Sequence, residues 1–186
     1  MKVLVLRDNH LKPTFKMKKL VFTFVISLFG IGLYAQEGLK LGIQGGLPFD
    51  DFNDQIGVVV GADAGYMWAL GEVVDLGIMT GYSYGFPEKF KTENPLIDLP
   101  SIQFMPITAA LRVWTSNSFS FGVNAGQAIG LNEGNDGGFY YRPQIGYLMG
   151  PFTEINVSYT AIKLENSSWT TITLGILHTF ELKRRF

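Results

Sequence analysis

From Thr170 to Phe186 the sequence alternates almost without a break. Even positions carry Ile172, Leu174, Ile176, His178, Phe180, Leu182, Arg184 and Phe186, and odd positions carry Thr171, Thr173, Gly175, Leu177, Thr179, Glu181 and Lys183. Successive side chains of an extended strand point to opposite faces, so this period of two describes a strand with one apolar and one polar face. A helix would scatter these residues around its circumference. The segment therefore needs two different environments, one on each side of a sheet.

The same period recurs upstream. Segments of this kind run from Leu39 to Leu47, Ile56 to about Leu70, Asp75 to Phe86, Ser101 to Trp114, Phe119 to Ile129, Phe139 to Met149 and Glu154 to Ala161. With the last segment they predict eight strands, and no helical period or low-complexity stretch appears after residue 35. The fourth segment is the least regular. Ile102 and Phe104 fall on its even side and Met105, Ile107, Leu111 and Val113 on its odd side. Odd positions outward is the better phase, which turns Arg112 inward. Pro106 cannot donate a ladder hydrogen bond, so a bulge or distorted register is expected beside it.

The start of the chain has a different character. Lys16, Lys18 and Lys19 precede an apolar run from Leu20 to Tyr34, and Ala35 then gives way to Gln36 and Glu37. A charged start, a short apolar middle and a small residue at the end are the parts of a secretory signal peptide. A run of 15 residues is shorter than the ~20 a spanning helix requires. Residues 1–35 are thus expected to be an upstream extension and a cleaved signal, and residues 36–186 the mature domain. The first segment holds six Lys or Arg and one acid, which leaves 9 bases against 15 acids, a net charge of −6. This balance argues against a nucleic-acid partner. Cysteine is absent, which excludes a disulfide framework, a thiolate metal site and lipid attachment through cysteine.

Eight alternating strands close either as a soluble barrel or sandwich with apolar faces inside, or as a membrane barrel with apolar faces outside. The polar faces favour the second. They carry mostly Gly, Ser, Thr, Asn and Gln with one or two charges per strand, which suits a narrow lumen better than open water. Short turns are expected after the second, fourth and sixth strands. Longer, more charged loops are expected at Phe49 to Gln55, Pro87 to Pro100, Asn132 to Gly138 and Lys163 to Trp169. Trp68, Trp114, Phe119, Tyr147, Phe152, Phe180 and Phe186 then form a periplasmic aromatic girdle. Tyr82, Tyr84, Phe86, Phe139, Tyr141 and Trp169 form an external one.

With this signal, these eight segments and an aromatic Phe186 in phase with the apolar face, the chain resembles the bacterial outer-membrane β-barrel domain family, the OmpA/OmpX-like and small porin-like proteins. The resemblance implies an eight-stranded antiparallel up-and-down transmembrane β-barrel in the bacterial outer membrane, exported through the periplasm. Outer-membrane lipids are its implied partners. It also implies that the barrel-assembly machinery reads the C-terminal strand, with Phe186 as the assembly signal. The role it implies is structural, adhesive or one of surface interaction, without enzymatic activity, cofactor or metal; loop partners are unspecified.

Inward parity places Lys40, Asp75, Arg112, Glu154 and Glu181 near the periplasmic end of the lumen, with Asp63 and Arg142 higher up. Buried charges require partners or water, so a lumenal ion-pair cluster of Lys40 and Arg112 with Asp75, Glu154 and Glu181 is expected. Inward glycines, among them Gly65, Gly77, Gly85, Gly122 and Gly146, keep a second reading open, a small porin-like channel. A lipid-modifying barrel enzyme using His with Ser is a third. His178 faces lipid by parity, however, while Ser158 faces the lumen, so an interfacial role for His178 is preferred. Acidic loop residues Asp50, Asp51, Asp54, Glu133 and Asp136 do not match a calcium-loop spacing.

Overall fold

The computed structural model describes residues 37–88 and 101–181. Residues 1–35, most of the loop Pro87 to Pro100, and Phe186 lie outside the described residues. Eight strands follow in order: β1 (Gly38–Phe49), β2 (Ile56–Ala69), β3 (Val74–Pro87), β4 (Ile102–Trp114), β5 (Phe119–Gly130), β6 (Gly138–Met149), β7 (Thr153–Lys163) and β8 (Ser168–Phe180). Each strand pairs with its sequence neighbour, and β1 pairs antiparallel with β8, so the sheet closes into an up-and-down barrel. Closure leaves no unpaired sheet edge.

The apolar phase lies outside. Ile43 is 67% exposed and Leu174 is 60% exposed, and the outward positions of the other strands carry Ile78, Ile107, Phe121, Ile145 and Val157 in the same way. In water such a continuous apolar band would be prohibitive, whereas hydrocarbon solvates it. Aromatic pairs flank the band. Tyr66 with Trp68, Phe119 with Tyr147, and His178 with Phe180 stand at the end of the short turns. Tyr84 with Phe86 and Tyr141 with Tyr159 stand toward the opposite, loop end.

Three expectations require correction. Pro106 does not create a bulge: Thr80 still faces Ile107 and Ser83 still faces Phe104, one unbroken register across the gap in the ladder. A missing N–H removes a hydrogen bond without requiring an extra residue. The register shift lies instead between Ile56 and Val58, where Ile56 faces Pro87 and Val58 faces Phe86. The extra residue, Gly57, reverses the phase and turns Ile56 into the lumen, where it is buried.

The last loop is also shorter than expected. Lys163 pairs with Ser168, leaving Leu164 to Ser167 as a tight connection closed by the Leu164 N–H donating to the Ser167 carbonyl at 3.0 Å. Trp169 is therefore a strand residue with odd, inward parity, and it is 1% exposed in the barrel interior, not in the external girdle. Trp114 also leaves its expected girdle. It shares the inward phase of Arg112, and its indole N–H donates to Asp75 Oδ2 at 2.8 Å.

Candidate functional site

The lumen is built in three layers. At the turn end, Lys40, Asp75, Arg112 and Glu154 are all buried. Arg112 Nη1 lies 2.5 Å from Glu154 Oε2. Arg112 belongs to β4 and Glu154 to β7, so the pair passes over β5 and β6. Those strands contribute Gly122 and Gly146 at this level, and a Cβ at Gly146 would collide with the Glu154 carboxylate and the Ser120 hydroxyl. Asp75, opposite Arg112 in the β3–β4 register, is held by Trp114. Lys40 Nζ donates to Thr179 Oγ1 at 2.9 Å, across the β1–β8 closure, and lies within electrostatic range of Asp75 and Glu154. Glu181 is not part of this layer. It follows the end of β8 and is exposed, because β8 leaves the sheet at Phe180.

The middle layer is a closed ring of hydrogen bonds. Arg142 Nη1 donates to Asp63 Oδ2 at 2.9 Å, and Arg142 Nε donates to Ser158 Oγ at 2.9 Å. Ser158 Oγ lies 2.7 Å from Thr173 Oγ1. Thr173 donates to Gln44 Oε1 at 2.9 Å, and Gln44 Nε2 donates to Asp63 Oδ1 at 3.1 Å. Since the Thr173 proton goes to Gln44, Ser158 is the donor in the pair between them. Every group thus has a single consistent direction, from the guanidinium around to the carboxylate. The ring links β6, β7, β8, β1 and β2 across the lumen, with charged groups at both ends, where hydrogen bonds are strongest. Gln44, Ser158 and Thr173 were absent from the sequence-based site. Their inward parity was visible, but only the register places them at one level: Ser158 faces Thr173, and Gln44 faces Gly175.

The loop-end layer is apolar. Trp169, Phe104, Ile56, Val59, Ala128, Tyr140 and Ile162 form one buried cluster, with Phe52, Ile102 and Leu164 packed on it. The Trp169 ring lies 5.5 Å from Phe104 and 5.4 Å from Phe52. Between this plug and the ring remains a cavity of about 20 Å³ bordered by Gln44, Asp63, Tyr140 and Trp169. That is room for about one water molecule.

The inward glycines do not leave open space. A Cβ at Gly85 would lie 2.7 Å from Trp169 Cη2, one at Gly77 would lie 2.5 Å from Met67 Sδ, and one at Gly122 would lie 2.9 Å from Gln144 Nε2. At these three positions a large neighbour packs against the barrel wall, whereas at Gly46 and Gly126 a Cβ would meet the backbone of the adjacent strand. Among the described residues, six buried side-chain atoms have no hydrogen-bond partner, namely Asp75 Oδ1, Arg112 Nε, Asn124 Oδ1, Gln144 Nε2, Glu154 Oε1 and Asn156 Oδ1. Three of them, on Asp75, Arg112 and Glu154, belong to the turn-end layer, while Asn124 and Gln144 face Arg142 and Ser158 of the middle layer in the strand register.

Outside the lumen, His178 Nδ1 lies 2.9 Å from Thr153 Oγ1, and its ring packs on Phe180 and Phe152. Ser158 is committed to Arg142 and Thr173 on the opposite face, so His178 and Ser158 form no catalytic pair. Asp51 Oδ2 accepts from the Ser168 N–H at 2.9 Å, which ties the first loop to the start of β8. Among the described residues, no cluster of three His, Cys, Asp or Glu side chains is arranged to hold a metal.

No protein-family model matches this chain, and no curated protein matches it. Solved structures do. The crystal structure of Ail, the attachment invasion locus protein of Yersinia pestis, is 17% identical, with a TM-score of 0.53 over 80% of this chain and 100% of that one. A structure of Yersinia pestis Ail in a phospholipid bilayer nanodisc has 18% identity and a TM-score of 0.50 over 77% of this chain and 100% of that one. A designed transmembrane β-barrel has 15% identity and a TM-score of 0.50 over 81% of this chain and 100% of that one. In fold, this chain is a closed eight-stranded up-and-down β-barrel like those of the outer-membrane protein Ail and the designed transmembrane barrel.

Proposed function

We propose that this chain is an integral outer-membrane barrel, exported through the periplasm, with a structural, adhesive or surface-interaction role and no enzymatic activity. Its lumen is closed to solutes. The observation that carries this reading is the pair of barriers in series, the hydrogen-bonded ring through Arg142 and Asp63 and the plug around Trp169. A dehydrated ion would have to separate buried charges and then pass an apolar layer, two costs that add. The porin-like alternative draws on the inward glycines, and the large side chains packed against Gly77, Gly85 and Gly122 favour the closed reading over it.

A rigid wall with a filled interior leaves the loops and rim as the water-exposed surface, which fits a role in contact more than in transport. Ail is named as an attachment and invasion protein, a role compatible with such a wall. Insertion is taken to use the assembly machinery through the C-terminal strand and Phe186, with lipids as the permanent partner of the outward face. Planar-bilayer recording of the refolded barrel in molar KCl tests the closed lumen. No resolved conductance steps are expected, and reproducible steps with a defined unitary current would overturn it.

A further inference from the structure

The loop end of the barrel holds a vestibule of about 450 Å³, far larger than the cavity inside the lumen. Its apolar walls are Phe52, Ile102 and Leu164, which sit on the Trp169 plug. Phe52 is placed by local chemistry. Asp50 adopts a φ of 57°, a left-handed conformation that Asp tolerates better than most residues, and starts the short 3-10 turn Asp50–Phe52 that lays the Phe52 ring on Trp169. The remaining wall comes from two loops carrying Glu133, Asp136 and Glu165, all exposed. Asp50 and Asp51 belong to the same short turn as Phe52, and Lys163 is the base among the described loop-end residues.

We propose that this vestibule binds a small amphipathic organic cation, an ammonium group carried on an apolar body. The apolar body replaces water on Phe52, Ile102 and Leu164, and the Phe52 ring offers a cation–π face. The carboxylates of Glu133, Asp136 and Glu165 remain hydrated at the rim and attract the positive end, raising its local concentration. An anion would meet the same rim as a barrier. A neutral apolar ligand would gain the floor and nothing from the rim. The volume suits a ligand of small-molecule size, near the lower end of ordinary binding pockets.

Titration calorimetry of the full barrel in phosphatidylcholine nanodiscs, with benzyltrimethylammonium as the probe and empty nanodiscs subtracted, tests the site. Heat-modifiable gel migration of the same sample certifies the folded barrel, so that a failed fold and a failed site are told apart. Saturable binding at one site per barrel is expected, weakening several-fold as salt is raised. The combined variant Glu133→Gln, Asp136→Asn and Glu165→Gln changes only exposed side chains and should weaken binding about tenfold, the product of three modest surface charge interactions. Phe52→Leu should weaken it while preserving the salt dependence. A certified barrel without saturable binding, equal affinity in the charge-neutralised variant, or tighter binding of spermidine than of the probe would each overturn the proposal.

Discussion

Replacing Arg112 with alanine is expected to destabilise the folded barrel by about 3 to 5 kcal/mol, the cost of leaving one member of a buried ion pair without its partner. The Glu154 carboxylate would remain enclosed between Gly146 and Ser120 without its ion-pair partner, leaving Lys40 to offset both Glu154 and Asp75. Charge balance sharpens the prediction. Lys40, Arg112, Asp75 and Glu154 sum to zero, and Arg112→Ala leaves a net negative layer in a buried place. The double variant Arg112→Met with Glu154→Gln keeps Lys40 and Asp75 as the remaining opposite charges, and should recover most of the loss. Glu181→Gln, at an exposed position beyond β8, should stay within about 0.5 kcal/mol of the parent. Unfolding midpoints in detergent micelles provide the comparison. An Arg112→Ala midpoint equal to that of the parent would refute the pairing.

Trp169→Ala is expected to cost about 3 to 5 kcal/mol as well, for a different reason: a large buried ring is removed and its neighbours cannot collapse fully into the space. Phe104 and Phe52 would lose their common contact, and Gly85, which accommodates the indole edge, has no side chain with which to fill the gap. Trp169→Phe should retain most of the stability because a ring still reaches the cluster. The experiment also discriminates between two placements of this residue. In an external girdle, Trp169 would be one interfacial anchor among several, and alanine there would have little effect. A small change in midpoint would therefore return Trp169 to the lipid interface and remove the plug.

The barrel was legible because a strand's period is short and its two faces meet opposite demands. Ile172, Leu174 and Ile176 declare the outer face, and Thr171, Thr173 and Gly175 the inner one. Parity also turned Arg112, Asp75, Glu154, Asp63 and Arg142 inward. It does not say which inward residues share a level. That depends on register, and so the ring of Gln44, Asp63, Arg142, Ser158 and Thr173 was hidden while each of its members was visible. Bulges are equally hidden, since Gly57 looks like any other small residue until Ile56 and Val58 are paired with Pro87 and Phe86.

Trp114 and Trp169 show a second limit. Both obey the inward parity of their strands, but their size near a strand end suggested a girdle. The glycines resolve the conflict: an indole fits inside a narrow barrel when a facing position such as Gly85 has no side chain. Gly77, Gly85 and Gly122 thus mark places where bulky neighbours pack. Glu181 shows the opposite error, since its parity was inward but β8 ends at Phe180, before it.

The central claim is that the apolar face of a closed barrel meets hydrocarbon while its polar face is enclosed. The natural absence of cysteine permits single-cysteine spin labels without background. Labels placed in turn at Thr171, Ile172, Thr173, Leu174 and Ile176 of the barrel in phospholipid bilayers report oxygen accessibility by power-saturation spectroscopy. A period of two is predicted, with Ile172, Leu174 and Ile176 accessible to oxygen dissolved in the hydrocarbon and Thr171 and Thr173 protected. The same period with Thr171 and Thr173 accessible and the aliphatic positions protected would contradict the account, because it would place the apolar face inside.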